Sequence, residues 1–337
     1  MLCICYAALD VINGVIFMEQ DNMISVKDLC VSYSDGIDIA RNISFTVKKG
    51  EFLGIVGESG CGKTTMLRSL MMLKKAAKGQ IKGSICFDGQ EMTELSDEEL
   101  RRLRGADIVM IPQNAYAAMD GTKTISSLFL ETMRMHGRKV SRRESDALAA
   151  KMMEDLLLED PQRILKAYPF ELSGGMCQRV MIAAAMINNP KLILGDEPTS
   201  ALDVTSQLQV VKELQLLKER SNVSMILISH NLGVVSAISD NIAIMYGGRI
   251  VEYGSRDEIL HEVCHPYTKA LIQAVPDMNG NISKGLPGIP PAFKAEMKGC
   301  PFAERCQKCQ DICHEITPQN VQISKTHIAA CLCIGEN

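Results

Sequence analysis

The sequence has no tryptophan, and aromatic residues make up only 4% of its 337 positions. Its apolar share of 46% therefore leans on aliphatic side chains and 20 methionines, which read as core filler rather than as a site. A basic excess is missing too. Lys and Arg number 36 against 40 Asp and Glu, a net charge of −4, where a general nucleic-acid binder would be strongly basic. No apolar run reaches the roughly 18–20 residues that span a bilayer. The opening MLCICYAALDVINGVIF is apolar but interrupted by Asp10, and it lacks a basic leading segment and a small-residue cleavage site, so it makes a poor signal peptide. Residues 1–22 are set apart as an N-terminal segment without assigned structure, with Met18 or Met23 as alternative starts. A cytosolic chain is expected, in which the 13 cysteines are thiols rather than disulfides.

What is present reads as alternating strands and helices. ISVKDLCVSYSD alternates from Ile24 as a strand does, and SDGIDIARNISFTVKKGE follows as a turn and a second strand. EFLGIVG (51–57) is short, apolar and bounded by glycine, the form of a buried strand. It leads through ESGCGK into TTMLRSLMML, whose apolar spacing predicts a helix. IKGSICFD (81–88) predicts a strand, and SDEELRRLR (96–104) a helix capped by Ser96 with Glu99 at its third position. A mostly helical stretch fills about 122–189, with a second capping signal at Ser141. KLILGD (191–196) and SMILISH (224–230) return as strands around a helix, and NIAIMYGGRIVEYG predicts a hairpin. Such alternation implies an α/β fold, a largely parallel sheet with helices on its faces. After about residue 255 the texture changes. HPYTKALIQAVP (265–276) predicts a short helix ending at Pro276, GLPGIPPAF is a Pro/Gly linker, and a cysteine-rich segment follows.

Two motifs carry chemistry. GESGCGKTT (57–65) fits G-x-x-x-x-G-K-[ST] at Gly57, Gly62, Lys63 and Thr64, with Glu58, Ser59, Gly60 and Cys61 between, and it sits between a strand and a helix as the motif requires. Glycines let the backbone curl so that successive N–H groups face a phosphate, and the helix N-terminus adds partial positive charge. Lys63 would reach the β- and γ-phosphates, Thr64 would complete Mg²⁺ coordination, and Thr65 is placed for an α-phosphate. KLILGDEPTSALD (191–203) supplies carboxylates at a strand end, where Asp196 can hold Mg²⁺ and Glu197 can orient or deprotonate an attacking water. ATP with Mg²⁺ is the expected ligand pair.

LSGGMCQR (172–179) narrows this further, because it resembles the signature of ATP-binding-cassette ATPases, and the other marks of that family occur in its order. By this resemblance Tyr33 stacks on adenine from the strand ahead of the P-loop. Gln113 in VMIPQN is the glutamine that senses Mg²⁺ and contacts a membrane partner, Ser200 to Asp203 form the D-loop, and His230 holds the γ-phosphate. Ser173, Gly174 and Gly175 at a helix N-terminus offer N–H groups and a hydroxyl to a phosphate held by a second subunit's P-loop. The implied architecture is a P-loop core with a parallel sheet, an antiparallel β subdomain and a helical signature subdomain. Two departures stand out: Asn231 replaces the usual Asp after the switch histidine, and NAYAAMDG after Gln113 lacks the usual Asp-Pro and Asn-Pro.

HPYTKALIQAVP and the tail resemble the extension of the oligopeptide/dipeptide and nickel importer ATPases. That resemblance implies domains at 23–255 (helical subdomain about 115–180) and 256–337, and a chain peripheral to the cytoplasmic face of the membrane. It also implies two transmembrane permease subunits, an extracytoplasmic binding protein, and a second related ATPase, as heterodimer or homodimer. Cys300, Cys306, Cys313 and Cys331 match tail cysteines thought to hold a [4Fe–4S] cluster. Four thiolates also suit tetrahedral Zn²⁺, and Cys309, Cys333, His314 and His327 compete as ligands. Peptide import is the leading expectation, nickel or metal-chelate import the alternative. A cassette ATPase acting on the ribosome or nucleic acid is disfavoured by the single cassette and the acidic charge.

Overall fold

The computed structural model of the chain describes residues 11–12, 15–16, 21–33, 36–73, 79–274, 286–293 and 298–334. The N-terminal segment lies mostly outside these, as do Pro276 and Gly285 of the predicted helix end and linker. Within the segment, Val11–Ile12 and Val15–Ile16 pair antiparallel.

Strands β1 (Asn22–Ser32), β2 (Asp38–Lys48), β4 (Ile81–Phe87) and β5 (Gln90–Glu91) form an antiparallel sheet in the order β2-β1-β4-β5. The main sheet contains β3 (Phe52–Val56), β6 (Ile108–Ile111), β7 (Leu192–Asp196), β8 (Ser224–Ser229), β9 (Asn241–Tyr246) and β10 (Arg249–Ser255). Two short tail strands, β11 (Val321–Gln322) and β12 (Ile328–Ala329), complete it in the order β11-β12-β10-β9-β3-β8-β7-β6. The five strands from β9 to β6 are parallel neighbours.

The parallel strands read as unbroken apolar runs because both faces are covered. Period-two alternation sends Phe52, Val56, Ile193, Met225 and Leu227 into one core and Leu53, Ile55, Leu192, Leu194, Ile226 and Ile228 into the other. The second core is shared with the antiparallel sheet and with α1 (Lys63–Leu70). After α2 (Asp97–Leu103) come α3 (Ala115–Ala118), α4 (Ile125–Met135), α5 (Arg142–Asp155), α6 (Pro161–Lys166) and α7 (Gly174–Met186). These last five pack against the first core. Both expected capping boxes form, Ser96 with Glu99 on α2 and Ser141 with Glu144 on α5. Helices α8 (Val204–Arg220) and α9 (Leu232–Ile238) lie between the later strands.

The sheet departs from a purely parallel one at its edge. Gly247 and Gly248, with φ of 54° and 83°, turn β9 back into β10, and the free edge of β10 then takes Ile328 opposite Tyr253 and Ala329 opposite Glu252. Distant tail residues thus cap an edge that would otherwise present unpaired backbone groups. Between them run α10 (Arg256–His261), α11 (Pro266–Gln273) and α12 (Ile312–Glu315). Among the described residues no helix is long and apolar enough to cross a membrane.

Candidate functional site at the C-terminal sheet edge

Register brings the chemistry to one edge. Ile228 pairs with Asp196 and with Ile55, so β3, β7 and β8 end level, and the segments leaving them run along one rim. The loop leaving β3 is shaped by glycine. Gly60 and Gly62 have φ of 81° and 102°, and a Cβ on Gly57 would come within 2.2 Å of the Met245 carbonyl. The buried Lys63 ammonium donates to the Gly57 carbonyl at 2.7 Å and the Glu58 carbonyl at 2.9 Å, lying 3.9 Å from Cys61 Sγ. Burial pushes the Cys61 thiol up, against the pull of Lys63. Ser59 sits in the turn between Glu58 and Gly60.

At the end of β7, Asp196 is 2% exposed and accepts a 2.7 Å hydrogen bond from the Thr64 hydroxyl. Burial raises its pKa while the Thr64 bond and Arg68, 3.7 Å away, oppose that rise. Glu197 follows in the left-handed region at φ 47°, an uncommon conformation for a residue with a side chain. Its N–H donates to the Ile228 carbonyl at 3.1 Å, and its carboxylate faces two groups. One oxygen is 3.1 Å from His230 Nδ1 and the other 3.9 Å from Lys63 Nζ. The sequence-singled Lys63, Thr64, Asp196, Glu197 and His230 are therefore one connected cluster.

Tyr33 lies just past the end of β1 rather than within it, because the chain turns there and the Gly36 N–H donates to the Tyr33 carbonyl. Its hydroxyl is 3.1 Å from Thr65 Oγ1, which ties this ring to α1. Gln113 donates to Ser200 Oγ at 3.1 Å, and that hydroxyl donates to the Glu197 carbonyl at 3.0 Å. A side chain of the loop after β6 is thereby linked through one serine to the acidic residue.

Ser173 caps α7, accepting from the Met176 N–H, and Gln178 of that helix reaches the Pro112 carbonyl at 3.5 Å. Gly174 has open space where a Cβ would stand, whereas one on Gly175 would meet Ser206 Oγ at 2.9 Å. Asp203 caps α8 through Ser206. Among the described residues no hydrogen bond or ion pair joins Ser173, Gly174, Gly175 or Asp203 to the P-loop. Asn231, the departure noted in the sequence, caps α9 by accepting from Gly233 and Val234.

Sequence reasoning missed the partners of Glu58. Arg305 forks its carboxylate at 2.6 and 2.9 Å, and Tyr267 Oη accepts from its backbone N–H at 3.0 Å. No local pattern announces a bond between residues 247 apart.

Cys300, Cys306, Cys313 and Cys331 line one cavity together with Cys333, His265 and Phe302. Burial, then the neighbouring thiols, pushes Cys300 up to about 11, and Cys306 and Cys331 are also raised, chiefly by burial. Of the rival ligands, Cys333 shares the cavity, whereas Cys309 lies outside its lining with Sγ 3.3 Å from His314 Nε2, and His327 is paired with Glu252 at 2.8 Å. Glu252, Cys264 and His327 are the one trio of metal-ligand types among the described residues whose ligand atoms all lie within 4.8 Å of one another. Glu252 there also accepts the N–H groups of Cys264 and His265, which makes it a buried tie between β10 and the segment before α11.

A P-loop nucleoside triphosphatase is what this sheet order and this rim define. Residues 40–200 match the ABC transporter family, and residues 251–313 match the oligopeptide/dipeptide transporter C-terminal region. The dipeptide transport ATP-binding protein DppD of Bacillus subtilis is 38% identical over 93% of this chain and 95% of its own. The oligopeptide transport ATP-binding protein OppD of Escherichia coli is 39% identical over 89% of this chain and 90% of its own. The metal-staphylopine import system ATP-binding protein CntD of Staphylococcus aureus is 38% identical over 79% and 98%. Among solved structures, the dimeric MJ0796 cassette superposes with a TM-score of 0.62 at 28% identity, over 69% of this chain and 99% of that one. The chain belongs to the ATP-binding-cassette transporter family and is an ATPase of that family.

Proposed function

We propose that the chain is the ATP-hydrolysing subunit of a membrane importer for di- or oligopeptides, peripheral to the cytoplasmic face and working with two permease subunits and an extracytoplasmic binding protein. The observation that carries this reading is the match of residues 251–313 to the oligopeptide/dipeptide C-terminal region in the same chain as the ABC transporter match over 40–200. In this reading 23–255 is the nucleotide-binding domain, with 115–180 as its helical part, and 256–337 is the extension. An acidic chain with no basic excess gives nucleic acid no role.

The P-loop from Gly57 to Thr65 binds the phosphates, with Lys63 at the β/γ end and Tyr33 against the adenine. Thr64 and Asp196, already hydrogen-bonded to each other, hold Mg²⁺, which neutralises charge on the phosphates. Glu197 takes the proton of the attacking water, and His230, fixed by that carboxylate, clamps the γ-phosphate. Gln113 reports on the site through Ser200. Ser173, Gly174, Gly175 and Asp203, without bonds to their own P-loop, serve the nucleotide of a second cassette. Two chains therefore close around two nucleotides, and a related second ATPase is the expected partner.

Cys300, Cys306, Cys313 and Cys331, four of the five cysteines lining that cavity, are proposed to hold a [4Fe–4S] cluster as a structural clamp. The donor set fits: four thiols converge, and a bound cation offsets the mutual repulsion of their thiolates. A single Zn²⁺ with sulfurs at about 2.3 Å draws them to about 3.8 Å apart. Among the described residues no three cysteine sulfurs lie within 4.8 Å of one another, a spacing more open than zinc takes. The second reading, metal-chelate import, is favoured by the CntD relative alone. Uptake of labelled peptides and labelled nickel by cells lacking the gene decides between them. Loss of peptide uptake supports the first reading, and loss of nickel uptake alone replaces it with the second.

A further inference from the structure

Glu58 is held at three points. Its carboxylate takes the Arg305 fork at 2.6 and 2.9 Å, its N–H donates to Tyr267 Oη at 3.0 Å, and its carbonyl accepts from Lys63 Nζ at 2.9 Å. Two of these partners belong to the extension and the third is the P-loop lysine. Arg305 is well fixed. Its side chain is 4% exposed, Nη1 also reaches Tyr246 Oη at 3.1 Å, and Nε donates to the Pro287 carbonyl at 2.8 Å. Tyr246, Tyr267 and Phe302 pack beside the pair in tilted and edge-to-face contacts, with ring centroids 4.5–5.3 Å apart. A two-pronged guanidinium–carboxylate contact fixes orientation as well as distance, which a lysine cannot reproduce.

We propose that Arg305 is a positioning residue of the nucleotide site, setting the P-loop conformation through Glu58 so that the extension governs affinity for the triphosphate. The inference rests on the chain being a cassette ATPase and is independent of its cargo and of any metal in the tail. Two physical effects act in the same direction. Without Arg305 the Glu58 side chain loses its fixed partner and only the Tyr267 bond still ties the residue to the extension, so the carbonyl that receives Lys63 is held less firmly. The Glu58 carboxylate also stands unpaired within the phosphate-binding loop itself and repels an anionic ligand. Neither Glu58 nor Arg305 contacts Glu197 or His230, and Lys63 stands 3.9 Å from the Glu197 carboxylate, beyond hydrogen-bond reach, so binding suffers more than the chemical step.

The test uses the full-length chain assembled with its transporter partners, comparing R305A, R305K, E58Q and the double variant E58Q/R305A. The readouts are kcat, KM for ATP, anisotropy of a fluorescent ATP analogue, and calorimetric Tm. R305A is expected to raise KM and the analogue Kd about tenfold, the scale of one lost charged pair, with kcat changed less than about threefold. R305K should fall between R305A and the unaltered protein. The double variant should be no weaker than R305A, because both changes cut the same link. A folded R305A with KM within twofold of normal and only a lowered Tm overturns the proposal, since Arg305 is then a structural tie alone. Multiplying effects of E58Q and R305A overturn it as well, because Arg305 then acts by another route. Should R305A fail to fold, R305K and E58Q decide: an unchanged KM in both overturns the proposal, and a raised KM in both supports it.

Discussion

The Thr64 hydroxyl donates to Asp196 Oδ1 at 2.7 Å, joining the first turn of α1 to the end of β7 across 132 residues of sequence. Both oxygens thereby face one point beside the P-loop, the arrangement a hard octahedral cation requires. Asp196→Asn keeps the hydrogen-bonding shape and removes the charge. It is expected to lower ATPase activity at least about 100-fold and to abolish the gain in ATP affinity that Mg²⁺ brings. Titration of ATP with and without Mg²⁺ checks this. An unchanged Mg²⁺ dependence in the variant would show that the ion is held elsewhere.

Glu197 combines a left-handed backbone with a carboxylate shared between His230 and Lys63. Backbone strain at a position held by four partners, His230, Lys63, Ile228 and Ser200, is the pattern of a site that positions a side chain at some cost to local stability. Glu197→Gln should leave nucleotide affinity within about threefold while hydrolysis falls about 10²–10⁴-fold, the range of a lost general base. The variant should accumulate as an ATP-bound dimer in size-exclusion chromatography. Hydrolysis at near the normal rate would remove Glu197 from the base role.

The tail returns to the cassette through Glu258. Its carboxylate is partly desolvated, which would raise its pKa, but hydrogen bonds from Ser324, Ser255 and Thr326 overcome this and hold it down at about 2. A folded-state pKa below the ordinary 4.5 means the tie stabilises fully above pH 4.5 and is lost as pH falls from there toward 2. Calorimetry between pH 6 and 3 should show the extension losing stability more steeply in the unaltered protein than in Glu258→Gln. The variant should be the less stable of the two at pH 6. Equal slopes would mean Glu258 contributes nothing to the acid response.

Much of this was legible because it is local. The P-loop, the strand-end acids and the two capping boxes each occupy a few consecutive residues, so their spacing declares their geometry. The alternation of apolar strands and amphipathic helices likewise announces a covered parallel sheet. The tail's part was hidden for the opposite reason. The pairing of β12 with β10 joins positions more than 70 apart, and the Arg305–Glu58 fork joins positions 247 apart. Neither leaves a periodic trace, since an edge strand of two residues is too short to show alternation. The pattern carries VSY on into the strand, and only the turn closing at Gly36 ends it.

The cysteines bear the last prediction. Cys300, Cys306, Cys313 and Cys331 line one cavity with Cys333, whereas Cys309 packs beside Cys313 but lies outside that lining and faces His314, so the two groups of thiols should differ in consequence. Anaerobically purified protein is expected to be brown, with about four iron atoms per chain. Cys306→Ala should lose the iron and the visible absorption, and it should lower the Tm of the extension. Cys309→Ala should keep all three. The ATP-binding core, in whose first hydrophobic cluster Cys300 and Cys306 are only peripheral packing residues, should still bind nucleotide in the Cys306→Ala protein, with affinity reduced only as far as Arg305 next to it is displaced. Colourless protein carrying one zinc and no iron would replace the cluster with a tetrahedral site. The sulfurs would then have to close from their present spacing, because zinc draws four thiolates to about 3.8 Å of one another.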